Sequence, residues 1–189
     1  MTKFGKLHRV GLLTGALMML TAPLAGAMDI HTEILIEAAP ETVWATLSDL
    51  ENYPSWNPYH VQVGGVLEPG AKLNLVIHKP NGKVINLRPR VKRVETNKVL
   101  VWGGGVPLLF TGNHVFELEE VRAGCTRLVQ REKFSGALIP FLDLSGVSEG
   151  YANLNASLKF HIESNRTQLS GGHCKAQSPR ARRLVQRSQ

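Results

Sequence analysis

The chain has 189 residues, with 22 Lys and Arg against 15 Asp and Glu, a formal charge of +7. The excess sits at the two ends: residues 1–27 hold three basic residues, residues 166–189 hold six, and neither segment holds an acidic one. Residues 28–165 carry 13 basic and 15 acidic side chains, a net of −2, which is room for one domain with a real core and no electrostatic case for a nucleic-acid-binding domain.

Lys3, Lys6 and Arg9 precede an apolar run, Val10–Leu20, and Ala25-Gly-Ala27 supplies small residues for cleavage. That is the layout of a signal peptide over residues 1–27, cut near Ala27. The stretch Val10–Ala27 is 18 residues long and contains Pro23, short for a stable span, so cleavage is favoured over a retained anchor. The mature protein is expected in the periplasm or outside the cell.

Residues Ile30–Glu37 alternate as a strand, with Ile30, Thr32, Ile34 and Ile36 on one face. Pro40 opens a helix at a position where its missing N–H costs nothing, and Val43, Leu47 and Leu50 follow at i, i+4, i+7 beside Trp44. Pro54 and Pro58 turn Asn52–Pro58 into a tight connector, leaving two short helices between the first and second strands. Strands follow over His60–Leu67 and Lys72–His78. The hairpin turn Lys79-Pro-Asn-Gly82 is expected to place both Asn81 and Gly82 at positive φ.

The next strand is expected to run unbroken from Lys83 to Val94, with Ile85, Leu87 and Val91 inward and Arg88, Arg90 and Lys92 in solvent. Val99–Trp102 begins another, and Phe110–Val121 with Cys125–Phe134 complete the meander. Gly103-Gly-Gly105 lacks the helix and Lys-Ser/Thr of a phosphate loop, so it should let the backbone bend or approach a ligand or helix closely. From Leu144 to Ser164, Val147, Tyr151, Leu154, Leu158 and Ile162 recur at helical spacing, opposite a side of Ser, Asn, Lys and Glu. One long helix, ~30 Å by its rise, against one antiparallel sheet is a two-layer α+β domain over residues 28–165.

Residues 166–189 are rich in Ser, Gln, Gly and Arg and are expected to form a disordered basic tail, read as a solvated extension with no role, weak contact of its arginines with anionic lipid being the alternative. Cys125 and Cys174 are the only cysteines, expected as free thiols or as a bridge of little consequence.

The order of elements, with Ala39-Pro-Glu-Thr-Val-Trp44, Tyr53-Pro-Ser-Trp-Asn-Pro58, the Phe116–Glu119 stretch and Gly150–Lys159, resembles the START-like, or SRPBCC, superfamily and its polyketide cyclase/dehydrase-like branch. The resemblance covers about residues 30 to 165. It implies a helix-grip fold, in which a strongly curved antiparallel sheet wraps the C-terminal helix around a cavity. It also implies lipid, sterol or polyketide-like ligands, with cyclisation or dehydration in some members. No catalytic motif carries over.

The last hairpin carries the chemistry. His114, Phe116 and Leu118 share a face, as do Thr126, Leu128, Gln130, Glu132 and Phe134, while Arg127, Arg131 and Lys133 lie on the wet side. A turn centred on Arg122 pairs Leu118 with Thr126, Phe116 with Leu128, His114 with Gln130 and Gly112 with Glu132. His114 then meets Gln130 directly and Glu132 diagonally, and Gly112 leaves room for the carboxylate. Buried polar groups need partners, so these either satisfy one another or face a ligand.

The ligand-binding candidates are His114, Phe116, Gln130, Glu132, Phe134, Trp102, Tyr151, Leu154 and Leu158. Glu132 and His114 are the weak candidates for acid–base work in a cyclase or dehydrase. His31, His60, His78, His161 and His173 show no metal-ligand spacing, and neither metal nor cofactor is expected. The reading is a monomeric binder of a small hydrophobic molecule, with no specific nucleic-acid partner; an enzyme is the alternative.

Overall fold

A computed structural model describes residues 26–165. The strands are β1 (Gly26–Ile36), β2 (His60–Gly64), β3 (Asn74–His78), β4 (Val84–Leu87), β5 (Arg90–Glu95), β6 (Val99–Val106), β7 (Phe110–Arg122) and β8 (Cys125–Gly136); the helices are α1 (Pro40–Ser48), α2 (Tyr53–Trp56) and α3 (Val147–Asn165). All ladders are antiparallel. Five strands run in the order β1-β8-β7-β6-β5, and three in the order β2-β3-β4. Backbone bonds from Leu73 N to Pro89 O (2.9 Å) and from Gly70 N to Val91 O (2.8 Å) join the two sets. The α+β class, the curved sheet and the long C-terminal helix are as the sequence predicts. The apolar run Val10–Leu20 and the basic tail lie outside the described residues.

Several expectations change in detail. The stretch Lys83–Val94 is two strands, because Pro89 has no N–H to give a ladder; Leu87, just before the break, is exposed rather than inward. In the β3–β4 turn only Gly82 has positive φ (82°), and Asn81 instead accepts the Lys83 N–H at 3.1 Å through Oδ1. Two of the glycines 103–105 lie close against β7: a Cβ at Gly103 would overlap Gly112 O, and one at Gly105, where φ is 118°, would stand 2.8 Å from Thr111 Cα. The helix α3 starts at Val147, after a Leu144–Gly146 turn in which Gly146 has φ 73°. Cys125 is disulfide-bonded, and the chain's other cysteine, Cys174, lies outside the described residues.

α3 lies against the concave face. Its stripe Val147, Tyr151, Leu154, Leu158 and Ile162 is buried, each large apolar side chain contributing about 1.5–3 kcal/mol. Polar ties fix its seat: Lys159 Nζ donates to Leu35 O at 2.7 Å, Glu37 N to Glu163 Oε1 at 2.8 Å, and Ser157 Oγ to Trp56 O. The Tyr53 hydroxyl donates to Leu47 O at 2.9 Å, tying α2 to α1, and Thr126 Oγ1 on β8 donates to Ala38 O at 2.7 Å, just ahead of α1. Near the other end of α3, the buried Lys79 Nζ donates to Asp143 O at 3.0 Å, and Lys83 Nζ lies 2.5 Å from Asp143 Oδ2. These cations hold the Asp143 carboxyl well below the usual carboxylate range, with Ser145 adding hydrogen bonds.

Candidate functional site

The β7–β8 register differs from the sequence expectation by two residues. His114 pairs with Glu132, Phe116 with Gln130, Leu118 with Leu128 and Gly112 with Phe134, because the turn is Ala123-Gly124 and the ladder shifts between Glu120 and Arg122. A slip of two keeps every side chain on its face. The inward set therefore survives, and His114 meets Glu132 directly instead of diagonally. Gly112 still makes room for the carboxylate, since a Cβ there would stand 2.9 Å from Glu132 Oε1.

The polar cluster grows from that pair. His114 Nδ1 lies 3.2 Å from Glu132 Oε2, and the Tyr151 hydroxyl donates to the same oxygen at 3.0 Å. One row along the sheet, Gln130 Nε2 donates to Asn155 Oδ1, and Asn155 Nδ2 donates to Thr32 Oγ1 at 3.1 Å. Three strands and the helix thus supply the contacts, β8 through Glu132 and Gln130, β7 through His114, β1 through Thr32, and α3 through Tyr151 and Asn155.

All nine expected ligand-binding residues are buried together on the face that α3 covers. Trp102, Phe116 and Tyr151 frame the His114 ring, with centroids at 5.5, 4.4 and 4.5 Å, and Phe134 stacks on Phe110 at 5.7 Å. Phe116, Gln130, Leu154 and Leu158 fill the space between sheet and helix with at most 1% exposure. A groove of about 560 Å³ lies instead on the outer face, between Glu33, Glu95, Glu117 and Glu119 and the cations Lys98, Arg127 and Arg131. Its charges are largely paired with each other, Glu117 with Arg131 at 3.0 Å and Glu119 with Arg127.

Sequence reasoning missed three members. Asn155 was assigned to the polar side of α3, yet it is one turn from Tyr151, an i, i+4 relation that was the available signal. Tyr59 and His60 follow the proline-rich connector and show no pattern, but both are buried, and their rings lie 5.4 and 6.1 Å from that of Tyr151. Burial, reinforced by the Glu132 charge, pushes the Tyr59 phenol up to about 12 and the Tyr151 phenol well above its ordinary value. Both hydroxyls are therefore neutral donors near pH 7. Burial, with the neighbouring His114, holds His60 well below the usual histidine range.

His114 Nδ1 faces Glu132, and its other ring nitrogen, Nε2, has no hydrogen-bond partner among the described residues; neither do Gln130 Oε1 and His60 Nδ1. The arrangement is a polar spot inside an apolar shell. No group of three or more His, Cys, Asp or Glu among the described residues is placed to hold a metal ion.

Residues 27–163 match the sequence model of the family described as polyketide cyclase / dehydrase and lipid transport. The chain belongs to that family. Among curated proteins none matches it. Of solved structures, the Zhui aromatase/cyclase from Streptomyces sp. R1128 is similar at a TM-score of 0.62 and 14% identity, over 78% of this chain and 100% of that one. A protein from Nitrosomonas europaea reaches 0.58 at 19% identity, over 73% and 96%. One from Staphylococcus saprophyticus reaches 0.53 at 23%, over 76% and 98%. At such identities the likeness is one of fold.

Proposed function

We propose that the chain is an exported binding protein for a small hydrophobic molecule, held between the sheet and α3 with its polar end at His114, Gln130 and Tyr151. The observation that carries this reading is the pair of buried polar atoms, His114 Nε2 and Gln130 Oε1, without partners among the described residues and beside Trp102 and Phe116. A buried polar atom left unpaired is destabilising by about 1–3 kcal/mol, and a ligand hydroxyl, which both donates and accepts, removes that penalty. Entry requires side chains such as Phe134 and Leu158 to yield, which suits a small, flexible apolar body. Export rests on residues 1–27.

Native mass spectrometry of the chain purified from its own host is expected to show a reproducible adduct released by organic solvent. His114→Phe keeps a flat ring but removes the polar atom, and should lower the occupancy about tenfold, the equivalent of one hydrogen bond. A bare mass under all conditions would overturn the reading.

The contacts among Tyr151, Glu132 and His114 favour one alternative, an enzyme of the cyclase or dehydrase type in which Glu132 and His114 move a proton at a hydroxyl or keto group. Glu132→Gln separates the two: a folded variant that keeps its adduct and shows no change in any turnover supports the carrier, whereas loss of turnover with binding retained supports catalysis.

A further inference from the structure

At one end of the sheet, apolar side chains stand in solvent from two segments. The β6–β7 turn exposes Val106, Leu108 and Leu109, and the 3₁₀ turn after β8 with its flanks exposes Leu138, Phe141 and Leu142. The segments are bound to each other, Ala137 N to Leu108 O at 2.9 Å and Leu138 N to Leu109 O at 3.0 Å, so the six form one patch. Leu108 is 88% exposed and Phe141 82% exposed. Leu108 also sits at φ 67°, a conformation in which a branched side chain is strained and glycine or asparagine would not be. An exposed leucine at that φ gains nothing from folding. It gains on meeting an apolar phase.

The charges around the patch identify that phase. The flanking strands present Arg88, Lys92 and Lys133 to solvent, against Asp29, while Lys83 and Asp143 neutralise each other at 2.5 Å. Lys92 and Lys133 flank Asn113, which Lys92 bonds and Lys133 pairs with across the ladder. Apolar tips ringed by cations suit an anionic lipid surface.

We infer that this end of the domain docks on an anionic bilayer, with Leu108 and Phe141 entering the acyl boundary. The inference deepens the carrier reading by naming the surface from which the ligand is exchanged, and it puts the mouth of the site at the Phe110–Phe134 stack, beneath the patch.

The test places a tryptophan reporter at the patch (Phe141→Trp) and, as control, at the exposed Phe160 on α3, ~20 Å further along the helix from Val147. Trp44, Trp56 and Trp102 are buried and give both full-length variants the same background. With vesicles of brominated phosphatidylcholine containing phosphatidylglycerol, the reporter at 141 should be quenched at least twofold more than the one at 160. Removing phosphatidylglycerol or substituting Leu108→Asp should abolish that difference. Equal quenching at both positions, no quenching at 141, or quenching indifferent to phosphatidylglycerol would overturn the inference. A blue shift at 141 that grows with protein concentration in the absence of lipid would assign the patch to a second copy of the chain and overturn it too. Quenching is independent of the adduct measurement, so an empty protein that docks and a loaded one that does not are told apart.

Discussion

Replacing Gly150 by alanine is expected to destabilise the domain by about 1–3 kcal/mol, the usual range for overpacking a filled core, even though alanine is the better helix former by about 1 kcal/mol. Gly150 is buried on α3, and a Cβ there would lie 2.7 Å from Tyr59 Cζ and overlap the ring edge at Cδ2 and Cε2. The Tyr59 ring has little room to give way, standing edge-on to Tyr151 at 5.4 Å and 5.2 Å from the His60 ring. Relief must come from moving the helix, and moving the helix disturbs the hydrogen bond from Tyr151 to Glu132. Urea unfolding of Gly150→Ala measures the loss. A second variant, Gly150→Ala with Tyr59→Leu, should recover part of it, because the shorter side chain vacates the overlap. If Gly150→Ala alone matches or exceeds the parent in stability, the close approach of helix and α2–β2 segment is not as described.

How far the sequence led depends on which physical signal each residue leaves. The face that α3 covers was legible because alternation along β7 and β8 has a period of two, and the observed two-residue shift of register does not change parity. His114, Gln130 and Glu132 were therefore found together for the right reason, with the wrong opposite partners. The shift itself was not legible: it follows from Gly124 taking φ 70° in a two-residue turn, with the ladder irregular at Val121. Pro89 was readable as a strand breaker, yet the alternation of Ile85, Leu87 and Val91 masked it.

The polar residues of the interior were the hardest to see. Asn155 looks like one more member of a Ser/Asn/Lys/Glu side, and only its position one turn from Tyr151 shows that it faces Gln130. Tyr59 and His60 lie at the entry to β2, where neither helical nor strand period has begun to show. The packed state of the interior is a matter of volume, which a one-dimensional pattern does not carry. The charge division did carry over: the outer face of β7 and β8 pairs its own ions, Glu117 with Arg131 and Glu119 with Arg127.

His60 makes the acid limit of the domain predictable. Its side chain is 1% exposed and lies among Tyr59, Trp102, His114 and Tyr151, with the Glu132 carboxylate behind His114. Burial disfavours its charged form, and the nearby His114 adds to that, so its folded-state value lies well below the ordinary one. In the unfolded chain the same ring titrates near ~6.5. Below that pH the unfolded state binds the proton and the folded state does not, so stability is full above about 6.5 and falls with falling pH towards the folded value. The slope for one group is at most about 1.4 kcal/mol per pH unit. Urea midpoints of the parent chain at pH 7.5, 6.0 and 5.0 should fall accordingly, and those of His60→Phe should fall less by one proton's worth, whatever that variant costs at neutral pH. Parallel pH profiles for the two chains would show that His60 is not kept neutral by burial. A steeper parent profile means that unfolding is coupled to protonation of His60, and, on the carrier reading, an adduct beside that ring should leave over the same pH range.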